Sequence, residues 1–355
     1  MHTPTMHCLR LALSTILIPS IFAPAARAWD YDGHRIVNQV ALAALPAEFP
    51  SFVREPAAAE RIAFLSGEAD RWRNMSDLPL KHCASPDHYF DYEQVAQAGL
   101  DVKTMSDLRY VFMARFAEGR AANVGKFPAI APEKNADHTA EWPGFAPWAI
   151  TEYYIKLKSA FAYLKVYQEI GTPEEVSNAK ANIIYIMGVM GHYVGDCSQP
   201  LHLTIHHNGW VGENPNGYTV WPGFHAWIDG GFAAKTGMKA EDVPVGVTPA
   251  KPVSLSPDPA GRDPMFAAVM DYITAQHAFM EPLYQLEKSG GLKADDPVKA
   301  AEGKKFLGER LLTGGQMLAN IWLSAWKNAG PDDYLRGQLE KRREAAEKSA
   351  APVEK

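Results

Sequence analysis

The sequence predicts an all-α fold, a single mainly helical domain with long irregular loops. Three observations predict it: apolar residues recur at helical spacing through the long segments, no alternating series marks a sheet, and no interior linker or repeat divides the chain. In RIVNQVALAAL, residues 35–45, one helical stripe is formed by Ile36, Val37, Val40, Ala41 and Ala44. AITEYYIKLKSAFAYLKVYQEI, residues 149–170, keeps the same period and stops at Gly171, after which Thr172, Pro173 and Glu174 open another helix. That helix, PEEVSNAKANIIYIMGVMGHYVGDC, is apolar nearly all round from Ile183, which predicts burial. Charged groups at the end of a buried helix are costly without partners. Residues 243–264 are rich in proline and read as an irregular surface loop. Helices resume in MFAAVMDYITAQHAFMEPLYQLE and KKFLGERLLTGGQMLANIWLSAWKNA, read as packing elements with Trp322 and Trp326, like Trp148, in the core. The charged tail, residues 331–355, reads as a frayed helix followed by disorder.

The chain opens with a basic residue, an apolar stretch and small residues at Ala26 and Ala28, the layout of a cleaved secretory signal spanning residues 1–28. The expectation is a secreted or periplasmic protein whose first mature residue is Trp29. Pro19 and Pro24 interrupt the apolar stretch, and no later segment has the length of a transmembrane anchor. Cleavage removes Arg10 and Arg27 and no acid, so the mature chain is two charges more acidic than the formal −6. Such a chain lacks the basic surface that general binding to nucleic acid or anionic membrane requires, so any phosphate binding calls for a local cation. No obligate protein partner is implied. Of three cysteines Cys8 leaves with the signal, and an oxidising compartment permits but does not demand a bridge between Cys83 and Cys197.

Candidate metal ligands recur along the chain. In GHYVGDCSQPLH, His192 and Asp196 are four apart and share one helical face, while Pro200 ends the helix and frees His202 to approach from another direction. His225 and Asp229 in GFHAWIDGG repeat that spacing. WDYDGH places His34 near Trp29, whose free α-amine and carbonyl together can chelate a metal; alone, the pair also reads as an ordinary terminus and a surface histidine. GEADRWRN supplies Asp70 with Arg73 one turn later, and SPDHYFDYE supplies His88 between Asp87 and Asp91. Each residue by itself reads as a satisfied polar side chain. Together the nine form a nitrogen and carboxylate set of the kind that suits zinc.

In order, WxxxGH (29–34), ADRWR (69–73), DHYFD (87–91), GHYVGDxSQPLH (191–202) and FHAWID (224–229) resemble the secreted trinuclear-zinc family that contains single-strand-specific nucleases and bacterial zinc-dependent phospholipases C. The resemblance runs from Trp29 to about Phe232, within an expected hydrolase domain at residues 29–330, and implies three zinc ions. Asp70, His88, His192 and Asp196 would hold one; the Trp29 amine and carbonyl, His34 and a shared Asp196 a second; His202, His225 and Asp229 a third. It further implies a phosphodiesterase working through a metal-activated bridging water, with Asp70 orienting or deprotonating that water and Arg73 near the phosphate. Arg73 reads equally as a structural ion-pair partner. Tyr89 and Asp91 resemble positions that stack on and hydrogen-bond a nucleobase.

The wording of WxxxGH and QPLH, the long interval from His202 to His225, and aspartate at 229 favour the nuclease branch: cleavage of single-stranded DNA or RNA to 5′-phosphates, with 3′-nucleotidase activity as a further expectation. GHYVGD and GFH also resemble the phospholipase branch, so phospholipid is the alternative substrate and a non-catalytic helical zinc protein the second alternative. The chain departs from the nuclease pattern at Phe224, at Ile228 and across residues 203–223. There His206, His207, Trp210 and Trp221 read either as cleft wall or as a polar loop with aromatic anchors. His82, His138 and His277 receive no role.

Overall fold

Helices, and no strand among the described residues, make up the computed structural model, which describes residues 29–239, 243 and 246–350. The expected signal, residues 1–28, lies outside the described residues. In chain order the helices are α1 (Tyr31–Ala44), α2 (Pro56–Leu65), α3 (Glu68–Arg73), α4 (Leu78–Ala84), α5 (Tyr92–Gln97), α6 (Arg109–Ala122), α7 (Ala146–Ile170) and α8 (Pro173–Asp196). There follow α9 (Phe224–Ala226), α10 (Phe232–Thr236), α11 (Pro264–His277), α12 (Met280–Lys288), α13 (Pro297–Asn328) and α14 (Asp333–Ala350). The all-α expectation holds, and one continuous apolar core joins α1, α2, α7, α8, α11 and α13.

Local chemistry explains the helix starts. Thr172 and Glu175 close a capping box on α8, with Pro173 at its first turn, where no N–H is needed. The side chains of Asp263 and Asp296 accept the first free N–H groups of α11 and α13. Gly171 and Thr172 are the whole connection between α7 and α8, so these two long helices pack antiparallel. As the composition of α8 predicts, every residue from Met187 to Asp196 is buried. Trp148 and Trp322 are buried and Trp326 packs against the core, as expected.

Helix α1 lies against both α8 and α13, and small residues let it approach closely. A Cβ on Gly191 would stand 1.6 Å from Asn38 Oδ1, and one on Gly315 would stand 2.4 Å from Val40 Cγ1. Asn38 is itself fully buried and donates to the Ile62 and Gly188 carbonyls at 2.8 and 3.0 Å, tying α1 to α2 and α8. One turn further along α8, a Cβ on Gly195 would sit 3.0 Å from His34 Nδ1, so the same small-residue face brings that imidazole to the end of α8.

Residues 246–263 carry no regular structure, matching the loop expectation, yet they are pinned. The Ala250 N–H donates to the Ala44 carbonyl at 2.7 Å and the Val253 N–H to Ser324 Oγ at 2.7 Å. In the tail, α14 is helical through its length. It is held by Arg336 on Glu169 and by a two-pronged Arg342–Glu175 pair, while residues 351–355 lie outside the described residues. Cys83 is exposed and Cys197 buried, and both are free thiols. No described helix is long and apolar enough to cross a membrane.

Gly191→Ala is expected to push α1 from α8 and to cost about 1–3 kcal/mol by overpacking. The denaturant midpoint of chelator-treated protein measures this, and an unchanged midpoint would contradict the close approach.

Candidate metal centre

Five separate stretches deliver the polar residues to one place. His34 comes from the first turn of α1, Asp70 and Arg73 from α3, and His88 from a 3₁₀ turn at Ser85–His88. His192 and Asp196 end α8, and the 3₁₀ turn Pro200–Leu203 then carries His202 back over that end. His225 lies in α9, and Asp229 in a π-helical turn, Trp227–Gly231, that continues it. Such turns widen a helix locally and recur at functional sites. Pro200 therefore acts as the sequence suggests, ending one element and starting another.

The side chains form three groups able to hold metal: His34, Asp70 and His192; His88, His192 and Asp196; and His202, His225 and Asp229. Asp196 links them. Its Oδ1 lies 3.4 Å from His34 Nε2 and 4.0 Å from His202 Nδ1, while its Oδ2 lies 3.1 Å from His88 Nδ1 and 3.3 Å from His192 Nε2. The two oxygens thus face different histidines, the geometry a bridging carboxylate needs. Asp70 Oδ1 stands 3.9 Å from His192 Nε2, and His225 Nε2 stands 3.1 Å from Asp229 Oδ2.

Hydrogen bonds behind the site aim several of these groups. His192 Nδ1 donates to the Ser66 carbonyl at 2.6 Å and His202 Nδ1 to the His88 carbonyl at 2.8 Å, leaving each Nε2 lone pair directed inward. Gln199 Nε2 donates to Asp229 Oδ1 at 2.7 Å, while its Oε1 accepts from the Leu201 N–H at 2.7 Å. Gln199 has no spacing to another candidate ligand in the sequence; its place in the QPLH block beside Pro200 is the signal that could have identified it.

Burial tests whether a cation fits. Both Asp196 oxygens and Asp229 Oδ2 are buried and accept no hydrogen bond. Burying a carboxylate so bare is costly unless positive charge compensates it. Burial, reinforced by His192, holds His34 down to about 3, and burial together with Arg73 holds His88 down to about 3. Burial lowers His202 and takes His225 well below its ordinary value. Burial pushes Asp196 upward, but His192 and His202 outweigh it and keep this carboxyl well below the usual range. Burial pulls His192 down as well, but Asp196 and Asp70 outweigh it and raise this ring above its ordinary value, so a metal there would displace its proton. Neutral imidazoles at His34, His88, His202 and His225 beside an anionic Asp196 are the protonation states that metal binding requires. These buried His/Asp clusters can therefore hold metal ions.

Trp29 is the remaining expected ligand. Its buried indole Nε1 donates to the Gly195 carbonyl at 3.0 Å and to Ser198 Oγ at 3.1 Å, and the next N–H, of Asp30, donates to the Asp229 carbonyl at 2.7 Å. Residue 29 is thereby anchored between the end of α8 and the Asp229 turn.

A cleft of about 390 Å³ opens beside the cluster, with Arg73, Tyr89, Asp91, His202, His207 and His225 among its lining residues. Arg73 is an ion-pair partner, its Nε lying 2.7 Å from Asp70 Oδ1, and its side chain also lines the cleft. Gln94 Nε2 donates to Asp91 Oδ2 at 2.6 Å, and Asp91 Oδ1 lies 4.0 Å from His207 Nδ1. Burial lifts the Asp91 carboxyl to about 6 against the opposing pull of His207.

Residues 203–223 divide between the two readings left open by the sequence. His207 lines the cleft. Trp210 packs on Tyr218 and Tyr284 with its Nε1 on the Glu213 carbonyl, and His206 stacks on it at 4.1 Å, so these two are anchors. Trp221 is half exposed and does not line the cleft. His277 Nε2 donates to Glu93 Oε1 at 2.9 Å, and Glu93 also accepts from Thr204 Oγ1 and the Ile205 N–H. This clamp on the His202–His207 loop has no spacing that a sequence could reveal. His82 meets the Asp137 carbonyl and His138 meets Glu141, away from the site.

No family model, curated protein or solved structure matches the chain.

Two measurements check the centre. Asp196→Asn should lower the metal retained per chain after dialysis more than Asp229→Asn does, because Asp196 faces two ligand groups. Equal losses would remove it from the shared position. In metal-free protein, His34 and His88 take up protons near pH 6.5 when unfolded but near 3 when folded. Their contribution to stability is full above pH 6.5 and is lost as pH falls from 6.5 toward 3. Urea midpoints should decline through this window, and less steeply in His34→Gln.

Proposed function

We propose that this chain is a secreted, zinc-dependent phosphodiesterase that hydrolyses single-stranded nucleic acid to 5′-phosphate products, with 3′-nucleotidase activity, using three zinc ions. The observation that carries this reading is the convergence of three His/Asp groups around Asp196, of which His202 and His225 reach a cleft also lined by Tyr89 and Asp91. The sequence blocks resembling the nuclease branch supply these same residues. Histidine nitrogens mixed with carboxylates favour zinc over magnesium or calcium, which prefer all-oxygen sites.

Bound zinc would neutralise the phosphodiester and lower the pKa of water toward neutrality. The remaining work belongs to the chain. Burial raises the Asp70 carboxyl, but His192 and Arg73 outweigh it, so Asp70 is ionised near neutral pH and able to accept a proton from the attacking water. Arg73 holds Asp70 in place and presents its guanidinium at the cleft, where the phosphate would lie. Tyr89 supplies an aromatic wall, its hydroxyl turned to the Thr139 carbonyl at 3.3 Å. Gln94 occupies one oxygen of Asp91 and so leaves the other to accept from a base N–H. A ring wall and a single acceptor tolerate several bases.

The Trp29 amine and carbonyl complete the second ligand group in this reading, which requires cleavage before Trp29. Protein purified with one additional residue ahead of Trp29 should carry one zinc fewer and lose most activity. Equal zinc and turnover would take Trp29 out of the site. Mature protein given single-stranded DNA and phosphatidylcholine in parallel should release nucleotides from the first only. Lipid turnover alone would make it a phospholipase C, and bound zinc without turnover of either would make it a non-catalytic zinc protein.

A further inference from the structure

His207 comes from residues 203–223, where the chain departs from the nuclease pattern, and yet it lines the cleft beside the metal-ligating groups. Its neighbour His206 stacks on Trp210 at 4.1 Å, so the two adjacent imidazoles have different surroundings. His207 Nδ1 lies 3.1 Å from the Thr204 carbonyl, which can only accept, so Nδ1 donates. In the neutral ring this tautomer places the lone pair on Nε2. Thr204 is itself held, since its hydroxyl donates to Glu93 at 2.7 Å and Glu93 accepts from His277 as well. The ring is thus fixed from its backbone side, while its side chain, 39% exposed, is open to a ligand.

Two distances place this ring along the cleft. His207 Nδ1 is 4.0 Å from Asp91 Oδ1, and its ring centre is 5.9 Å from that of His225. Asp91 is the acceptor offered to a base, and His225 belongs to a metal-ligating group. His207 therefore stands at the join between the end that takes the base and the end that takes the phosphate. In a nucleotide the group at that join is the sugar. Among the uncharged side chains of the same cleft, Gln94 donates to Asp91 Oδ2 at 2.6 Å and the Thr139 hydroxyl to Asp137 Oδ1 at 3.0 Å, while Asn208 lies at the exposed rim. An acceptor at the join matches the one donor that a ribose within a strand carries and a deoxyribose lacks, the 2′-hydroxyl.

We propose that His207 determines sugar specificity: its Nε2 accepts from the 2′-hydroxyl of the nucleotide whose base lies against Tyr89, which makes RNA the preferred substrate over DNA. This rests on the nucleic-acid reading of the centre and adds to it the kind of nucleic acid. Because the ring is partly exposed, a deoxyribose leaves Nε2 to water rather than stranding it without a partner. DNA is therefore cleaved more slowly and not excluded.

Steady-state turnover of three dinucleoside monophosphates by the zinc-loaded mature protein tests it. They differ only in the sugar on the 5′ side of the phosphate: ribose, 2′-deoxyribose, or 2′-fluoro-2′-deoxyribose, which keeps the pucker of ribose but cannot donate. A 2′-substituent also alters the intrinsic reactivity of the phosphodiester, so the decisive quantity is how the ratio of kcat/KM values between sugars changes on mutation. In His207→Leu the advantage of ribose over each analogue should fall by about three- to tenfold, the size of one net hydrogen bond. His207→Gln, whose amide oxygen is again an acceptor, should recover most of it, with zinc per chain the same in all three proteins. An unchanged ratio in His207→Leu overturns the proposal, and so does an equal loss on all three substrates, because the ring would then support Asp91 or the centre itself. A wild type that cleaves the ribose substrate no faster than the deoxyribose one overturns it without any variant and leaves the nuclease reading intact. A wild type that turns over phosphatidylcholine and none of the dinucleotides overturns both.

Discussion

Asp196 is a carboxylate with no exposure to solvent, at the end of a helix whose last turns are wholly buried. Bringing that charge inside is unfavourable by itself, and the surrounding structure answers the cost. Four imidazoles lie within 4.0 Å of its oxygens, from α1, from the turn before Tyr89, from α8 itself and from the turn after Pro200. Burial holds His34, His88 and His202 below their ordinary values, while Asp196 and Asp70 raise His192 against burial, so only that ring answers the charge as an ordinary ion-pair partner would. Cations sharing the space would supply the remaining positive charge, and their binding would then couple to folding.

The helical scaffold makes that convergence possible through backbone proximity. Gly191 and Gly195 let α1 sink against α8 until His34 reaches the Asp196 turn, and Asn38 fixes the depth with two hydrogen bonds. Behind the ligands, Ser66, the His88 carbonyl and Gln199 each hold a ring or carboxylate in one orientation. Rigid elements thus carry the metal-facing atoms, whereas the cleft walls come from loops and short helices. Glu93 and His277 join two of these walls, holding the loop that bears His207 to α5 and α11.

The long helices were legible because a 3.6-residue period survives in any window of sequence. The ends of α8 were legible too, from Thr172, Pro173 and Glu174 at one end and Pro200 beyond the other. The His/Asp clusters were legible because His192 with Asp196 and His225 with Asp229 repeat one spacing, and because five short blocks occur in a recognisable order. The loop from 203 to 223 was not. Irregular backbone has no period, and whether Trp210 packs inward or His207 faces the cleft depends on Tyr218, Tyr284 and Asp91, which lie at other points of the chain. The tail was read as frayed on its charge alone; Arg336 and Arg342 find Glu169 and Glu175, and α14 is formed through Ala350.

By itself the sequence determined the helical class, the junction between α7 and α8, and the residue types available to hold a cation, since each is set by neighbours within a turn or two. Only the tertiary structure decided that the two oxygens of Asp196 face different histidines, and that Gln199 steadies Asp229 and Gln94 steadies Asp91. Those relations join segments remote in the chain. They follow from how closely helices can pack, a property of side-chain volumes summed over the whole core and written in no local stretch.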